Sequence, residues 1–128
     1  MIEIIQREKD GFCPTVTFGG WKTAFISHSE QYDKIKIMKR HNLTDETFYL
    51  IEGKATCYIL EDGKFTLIPL EKGKAYNVKA GTWHHLRVSQ DGLLAVVENS
   101  DTNKDNTQTK ILTDKELEEI ENDNGFND

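Results

Sequence analysis

"GKAYNVKAGTWHHLRV", Gly73 to Val88, holds two adjacent histidines just past a glycine turn, in a stretch otherwise composed like a strand. Successive side chains of a strand point to opposite faces, so the two imidazoles cannot share one environment. His84 falls in phase with Leu86 and Val88, while Trp83, His85 and Arg87 fall on the other face. The face carrying leucine and valine is the inner one. This reading takes His84 inside and leaves His85 outside, beside Arg87.

The same style of strand extends in both directions. "FYLIEG" leads through "KATCYIL" and "EDGK" into "FTLIPL", and Asp62-Gly63 between two β-rich runs signals a hairpin with a type I′ turn. Asp91-Gly92 repeats the device between "HHLRV" and "LLAVV", and Gly53, Gly73 and Gly81 mark further corners. Upstream, "WKTAFIS" (Trp21 to Ser27) and "DKIKIMKRH" (Asp33 to His41) read as two more strands, and "NSDTNKDNTQT" reads as a long polar connection. Many short strands joined by hairpin turns imply an all-β, antiparallel sandwich or barrel. One helix is expected, at the end: Thr113-x-x-Glu116 is a capping box, followed by Leu117 and Ile120 at helical spacing.

With 128 residues the chain is one domain's worth, and 37% apolar with 30% charged residues is a globular balance. From Thr113 to Asp128 there are seven acids and one lysine, which is the whole net charge of −6; residues 1–112 hold fifteen acids and fifteen bases. A neutral body argues against a nucleic-acid platform, and no apolar run is long enough for a bilayer. The N-terminus lacks the layout of a signal peptide, so the expected location is cytoplasmic. Cys13 and Cys57 fit free thiols in a reducing compartment.

Alternation groups the chemistry-bearing side chains. Ile35, Ile37, Lys39 and His41 share one face, opposite Lys36, Met38 and Arg40; Glu46, Phe48 and Leu50 share another. Two imidazoles (His41, His84) and one carboxylate (Glu46) are thus expected at strand ends on apolar faces, as a divalent metal site in a barrel mouth requires. Lys39, Phe48, Leu86 and Tyr76 are the expected pocket neighbours. His28 reads as a loop residue, Cys57 as a buried thiol, Tyr49 and Tyr58 as strand fillers, and Trp21 and Trp83 as packing or dimer-contact residues.

The spacings His41-x4-Glu46-x6-Gly53 and Gly73-x5-Lys79-x-Gly81-x2-His84 resemble the two motifs of the cupin superfamily, over about residues 35–97. That resemblance implies a single-domain jelly-roll β-barrel over 1–112, with the acidic helix and tail at 113–128. It implies a divalent metal (Fe, Mn, Ni or Zn) on His41, Glu46 and His84. Two positions depart from the pattern. Lys39 stands where the family's first motif histidine falls, and Lys79 stands where its usual proline does. An ammonium has no lone pair, so Lys39 cannot ligate as it stands. Three readings follow: a triad with Lys39 beside it as base or substrate anchor; a metal-free site in which Lys39 and Glu46 pair; or a vestigial site with Lys39 snorkelling to solvent.

"GTWHHL" followed by "ENSDTNKDNT" is also similar to the ureidoglycolate lyase branch of the superfamily. The functional expectation is a metal-dependent lyase or isomerase acting on a small polar carboxylated metabolite, with Lys39 and Glu46 moving protons. The alternative is a non-catalytic module that binds a sugar or acid without metal. Small members of the family commonly dimerise through sheet edges, which suits a strand at the N-terminal "IEIIQ" and an expected homodimer.

Overall fold

The structure is a computed structural model that describes residues 1–121; the end of the expected 113–128 helix and tail, from 122 on, lies outside the described residues. The strands are β1 (Phe12–Phe18), β2 (Trp21–Ser27), β3 (Ile37–His41), β4 (Glu46–Glu52), β5 (Ala55–Glu61), β6 (Lys64–Pro69), β7 (Tyr76–Val78), β8 (Trp83–Val88), β9 (Leu93–Asn99) and β10 (Thr107–Ile111). A helix, α1 (Asp114–Ile120), follows, and short 3-10 turns occupy Glu30–Tyr32 and Lys104–Asn106. None of the described helices is long and apolar enough to cross a membrane.

Two antiparallel five-stranded sheets face each other, in the orders β1-β2-β9-β4-β7 and β10-β3-β8-β5-β6. Strand β2 pairs with β9, β3 with β8 and β4 with β7, the nested order of one long ribbon rolled over itself. This is a jelly roll. No strand pair joins the two sheets among the described residues, so the roll is open along its edges.

Alternation builds two cores. Ala24, Ile26, Phe48, Leu50, Cys57, Leu86, Val88, Leu94 and Val96 fill the space between the sheets. On the outer face of the second sheet, Met38, Tyr58 and Leu60 are covered by Ile35, Leu112 and Ile120. The capping box that starts α1 is present in both directions, Thr113 Oγ1 accepting from Glu116 N at 3.2 Å and Glu116 Oε1 from Thr113 N at 3.0 Å. The helix thereby delivers Ile120 onto that outer face.

The expected solvent position of His85 is corrected by the segment before β3. Its side of β8 is not a solvent face: His85 is 5% and Arg87 8% exposed. The segment leading into β3 lies over them. His85 Nε2 is 3.0 Å from the Gln31 carbonyl, its ring stacks on Tyr32, and Arg87 Nε donates to the Asp33 carbonyl. Alternation correctly separated the two faces of β8, but it could not show that both are covered. The same segment is why β3 begins at Ile37 rather than Asp33, and why Ile35 belongs to the outer core.

Three further expectations change. The "IEIIQ" stretch forms no strand; the first strand is "FCPTVTF", whose Pro14 sits on the sheet edge where no ladder donor is needed. Thr107 to Thr109, expected to end the polar connection, begin β10 (Thr107–Ile111), which pairs along all of β3. Asp62 and Gly63 have φ of 51° and 75°, as a type I′ turn requires. Gly92 does not have positive φ. Its N–H instead closes a turn on the Ser89 carbonyl at 2.9 Å.

Candidate metal centre

His41 ends β3, Glu46 begins β4 and His84 lies near the start of β8, so neighbouring strand ends of both sheets meet at one mouth of the roll. One ligating atom from each of the three lies within 4.8 Å of the others, and the group can hold a metal ion. Glu46 Oε1 is 2.8 Å from His84 Nε2 and 3.5 Å from His41 Nε2.

The hydrogen bonds behind the imidazoles settle how they face the centre. The Thr107 hydroxyl donates to the Asn103 carbonyl at 2.7 Å, so at 2.8 Å it accepts from His41 Nδ1–H. His84 Nδ1 is 2.9 Å from the Thr82 carbonyl, which can only accept. Both rings therefore carry a proton on Nδ1 and turn Nε2 towards Glu46, the arrangement that outer hydrogen bonds impose on metal-ligating histidines. A carboxylate 2.8 Å from such an Nε2 needs a cation between them, a proton or a metal ion. The donor set fits a first-row divalent ion with open positions.

Burial alone would raise the Glu46 carboxyl, but the hydrogen bonds and charge of His41 and His84 outweigh it and hold the group below the usual carboxylate range. Directly across the β4–β9 ladder from Glu46 stands Glu98, also buried. Burial, then the charge of Glu46, raises its carboxyl against a smaller opposing effect of Lys22. One Glu98 oxygen, Oε2, has no hydrogen-bond partner. Lys22 Nζ lies 3.8 Å from the other and donates to the Thr102 carbonyl at 2.5 Å.

A cavity of about 370 Å³ opens over this cluster. Of the residues expected around it, Lys39, Phe48 and Leu86 line it with the triad. Tyr76 does not. Its hydroxyl accepts from Glu71 N at 2.9 Å, and the residue borders a separate cleft near the sheet edges, with Cys57 and Ile68. Lys39 forms no ion pair with Glu46; that carboxylate is taken by the two histidines.

Sequence reading missed Glu98, Lys22 and Tyr32, all of which line the cavity. The signal for two of them was available. Glu98 continues the inward series Leu94, Val96, and Lys22 precedes Ala24 and Ile26 on one face. Tyr32 sits in a 3-10 turn with no strand period to place it.

No family model matches the chain, and no curated protein matches it. Solved structures do. A cupin-2 domain protein from Shewanella frigidimarina aligns over 72% of this chain and 84% of its own, at TM-score 0.57 and 17% identity. A mutant of Bacillus subtilis oxalate decarboxylase covers 94% of this chain with 34% of its own, at TM-score 0.61 and 17% identity. A 3,4-ketoisomerase from Helicobacter canadensis covers 67% of this chain and 65% of its own, at TM-score 0.58 and 12% identity. With two nested five-stranded sheets and these structural neighbours, the chain has the jelly-roll fold of the cupin superfamily.

Proposed function

We propose that the protein is a metal-dependent lyase or isomerase acting on a small polar, carboxylated metabolite. The observation that carries this reading is the meeting of His41, Glu46 and His84 at the floor of a cavity, with both imidazoles locked in the ligating tautomer. Fe(II), Mn(II), Ni(II) or Zn(II) suits this oxygen and nitrogen donor set. The ion would supply Lewis-acid polarisation of a substrate carbonyl or hydroxyl oxygen.

The chain's own residues account for the rest. Glu46 and Lys39 face the cavity as the groups that hold and move a proton. Phe48 and Leu86 wall the floor and limit water there. An oxalate decarboxylase and a 3,4-ketoisomerase on the same fold favour carbon–carbon or carbonyl chemistry on small oxygenated substrates. Ureidoglycolate is the first named substrate to test, on the "GTWHHL" similarity. A homodimer belongs to the same proposal. Ile2 and Ile4 are 81% and 84% exposed, and a second copy would cover them, which light scattering tests.

Elemental analysis of protein purified without a histidine tag or chelator is the deciding experiment. About one divalent ion per chain is expected, falling well below that in His84→Ala. Product analysis on a panel of small acids and sugars, with and without added metal, then tests turnover. A ligand that stabilises the protein and is recovered unchanged, whatever metal is supplied, would replace this reading by a binding module.

A further inference from the structure

We propose that Tyr32 and Lys39 form a carboxylate clamp in the wall of the cavity, which holds the acid group of the ligand beside the His41–Glu46–His84 cluster. The proposal rests on the cavity being the ligand site and specifies which part of the ligand goes where.

Tyr32 and Lys39 come from different elements, the 3-10 turn Glu30–Tyr32 and β3, and both line the cavity. Each brings a hydrogen-bond donor that the protein leaves unused. No hydrogen bond reaches the Tyr32 hydroxyl and no ion pair or hydrogen bond reaches the Lys39 ammonium among the described residues, although Tyr32 is only 6% exposed. Both donors open onto the cavity, where a ligand that displaces solvent can supply the acceptor. The Tyr32 ring stacks on His85 at 5.5 Å between centroids, and Lys39 stands across the β3–β8 ladder from the next residue, His84.

The chemistry of the acceptor follows from the donors. A hydroxyl and an ammonium in one cavity suit a group with two acceptor oxygens and negative charge. Burial and the nearby Glu46 and Glu98 raise the Tyr32 hydroxyl, which keeps its proton available for donation. Lys22, Lys39 and Lys104 against Glu46 and Glu98 give the lining an excess of cationic side chains, so an anion is admitted despite the two carboxyls. With the acid group held at the clamp, the hydroxyl or carbonyl oxygen elsewhere in the ligand is the one that meets the triad. Tyr32 is held by the His85 stack and not by its own hydroxyl, so Tyr32→Phe removes the donor and keeps the packing.

The test uses the whole protein freed of metal by chelator and dialysis, with malonate as the probe and malonamide as its uncharged counterpart, followed by calorimetric titration. Malonate is expected to bind the native sequence in preference to malonamide. Tyr32→Phe and Lys39→Gln should each weaken malonate on the order of tenfold and leave malonamide unchanged. Their far-UV circular dichroism and their metal content after reloading should match the native protein. Equal malonate affinity in native protein and both variants overturns the clamp, as does failure of malonate to outbind malonamide. A native protein that takes up no metal on reloading yet still prefers malonate to malonamide would instead defeat the metal-enzyme reading and leave the clamp standing. If Lys39→Gln does not fold, Tyr32→Phe alone decides through the malonate-to-malonamide ratio.

Discussion

Cys57 shows how far a single residue is governed by its place in the roll. It lies on the inner face of β5, 3% exposed, opposite Leu86. Burial, and then the charge of Glu46, pushes its thiol from 9.0 up to about 12. The thiolate is the reactive form, so in the native protein at pH 8 alkylation of Cys57 by iodoacetamide should proceed only as fast as the chain opens. In urea it should react like any free cysteine. Rapid native-state modification would mean that the inner face of β5 is open to solvent. The linkage has a definite sign. Between pH 9.0 and about 12 the unfolded chain ionises this thiol before the native chain does, so its contribution lowers stability as pH rises. Cys57→Ala should flatten that alkaline limb in urea titrations. Glu46 has the opposite sense, since its folded carboxyl is depressed: its stabilisation is present above the ordinary carboxylate range and is lost on acidification.

At the scale of elements, two glycines that look alike in sequence do different work. Gly63 completes the β5–β6 hairpin with φ of 75°, and a Cβ there would meet nothing within 4 Å. Gly63→Ala should therefore cost only the left-handed backbone penalty, about 1–2 kcal/mol. Gly92 has an ordinary φ, but a Cβ would lie 2.5 Å from Val88 Cγ1 and 3.0 Å from the carbonyl oxygens of Lys54 and Ser89. The corner at Gly53 closes on it too, with a Gly53 Cβ only 2.7 Å from the Gly92 backbone. Gly92→Ala must displace packed backbone and should cost more than Gly63→Ala, about 3 kcal/mol or above if the overpacking and loop strain combine. Equilibrium unfolding of the two variants gives the order directly; the reverse order would show that the β8–β9 corner yields easily.

For the whole molecule, the candidate centre is also a link between layers. Glu46 belongs to one sheet, and His41 and His84 to the other, with no strand pairing between them among the described residues. A ligand that binds only the folded arrangement stabilises it by mass action. Zn(II) or Mn(II) at about a hundredfold above its Kd should add about 3 kcal/mol, seen as a rise of several degrees in Tm over chelator-treated protein. His84→Ala should abolish that rise. A Tm that does not respond to any of the four metals would leave the imidazoles with a purely hydrogen-bonding role.

The sequence by itself determined most of the strands but not β1 or β10, together with the I′ hairpin at Asp62-Gly63, the capping box of α1, and the inward phase of His41, Glu46 and His84. Each of these rests on local chemistry: a two-residue period, a positive φ, or a side chain three positions from its partner. Only the tertiary structure decided that His85 is buried, that Tyr76 lies away from the cavity, and that Tyr32 and Glu98 lie within it. Strand period states which side chains share a face, but not what covers that face. His85 became a buried residue because the segment before β3 lies over it. Tyr32 reached the cavity because an aperiodic turn happens to stack on that histidine. Glu98 met Glu46 because β9 pairs with β4, the two residues standing 52 positions apart in the chain, and register over such distances is set by packing rather than by neighbouring residues.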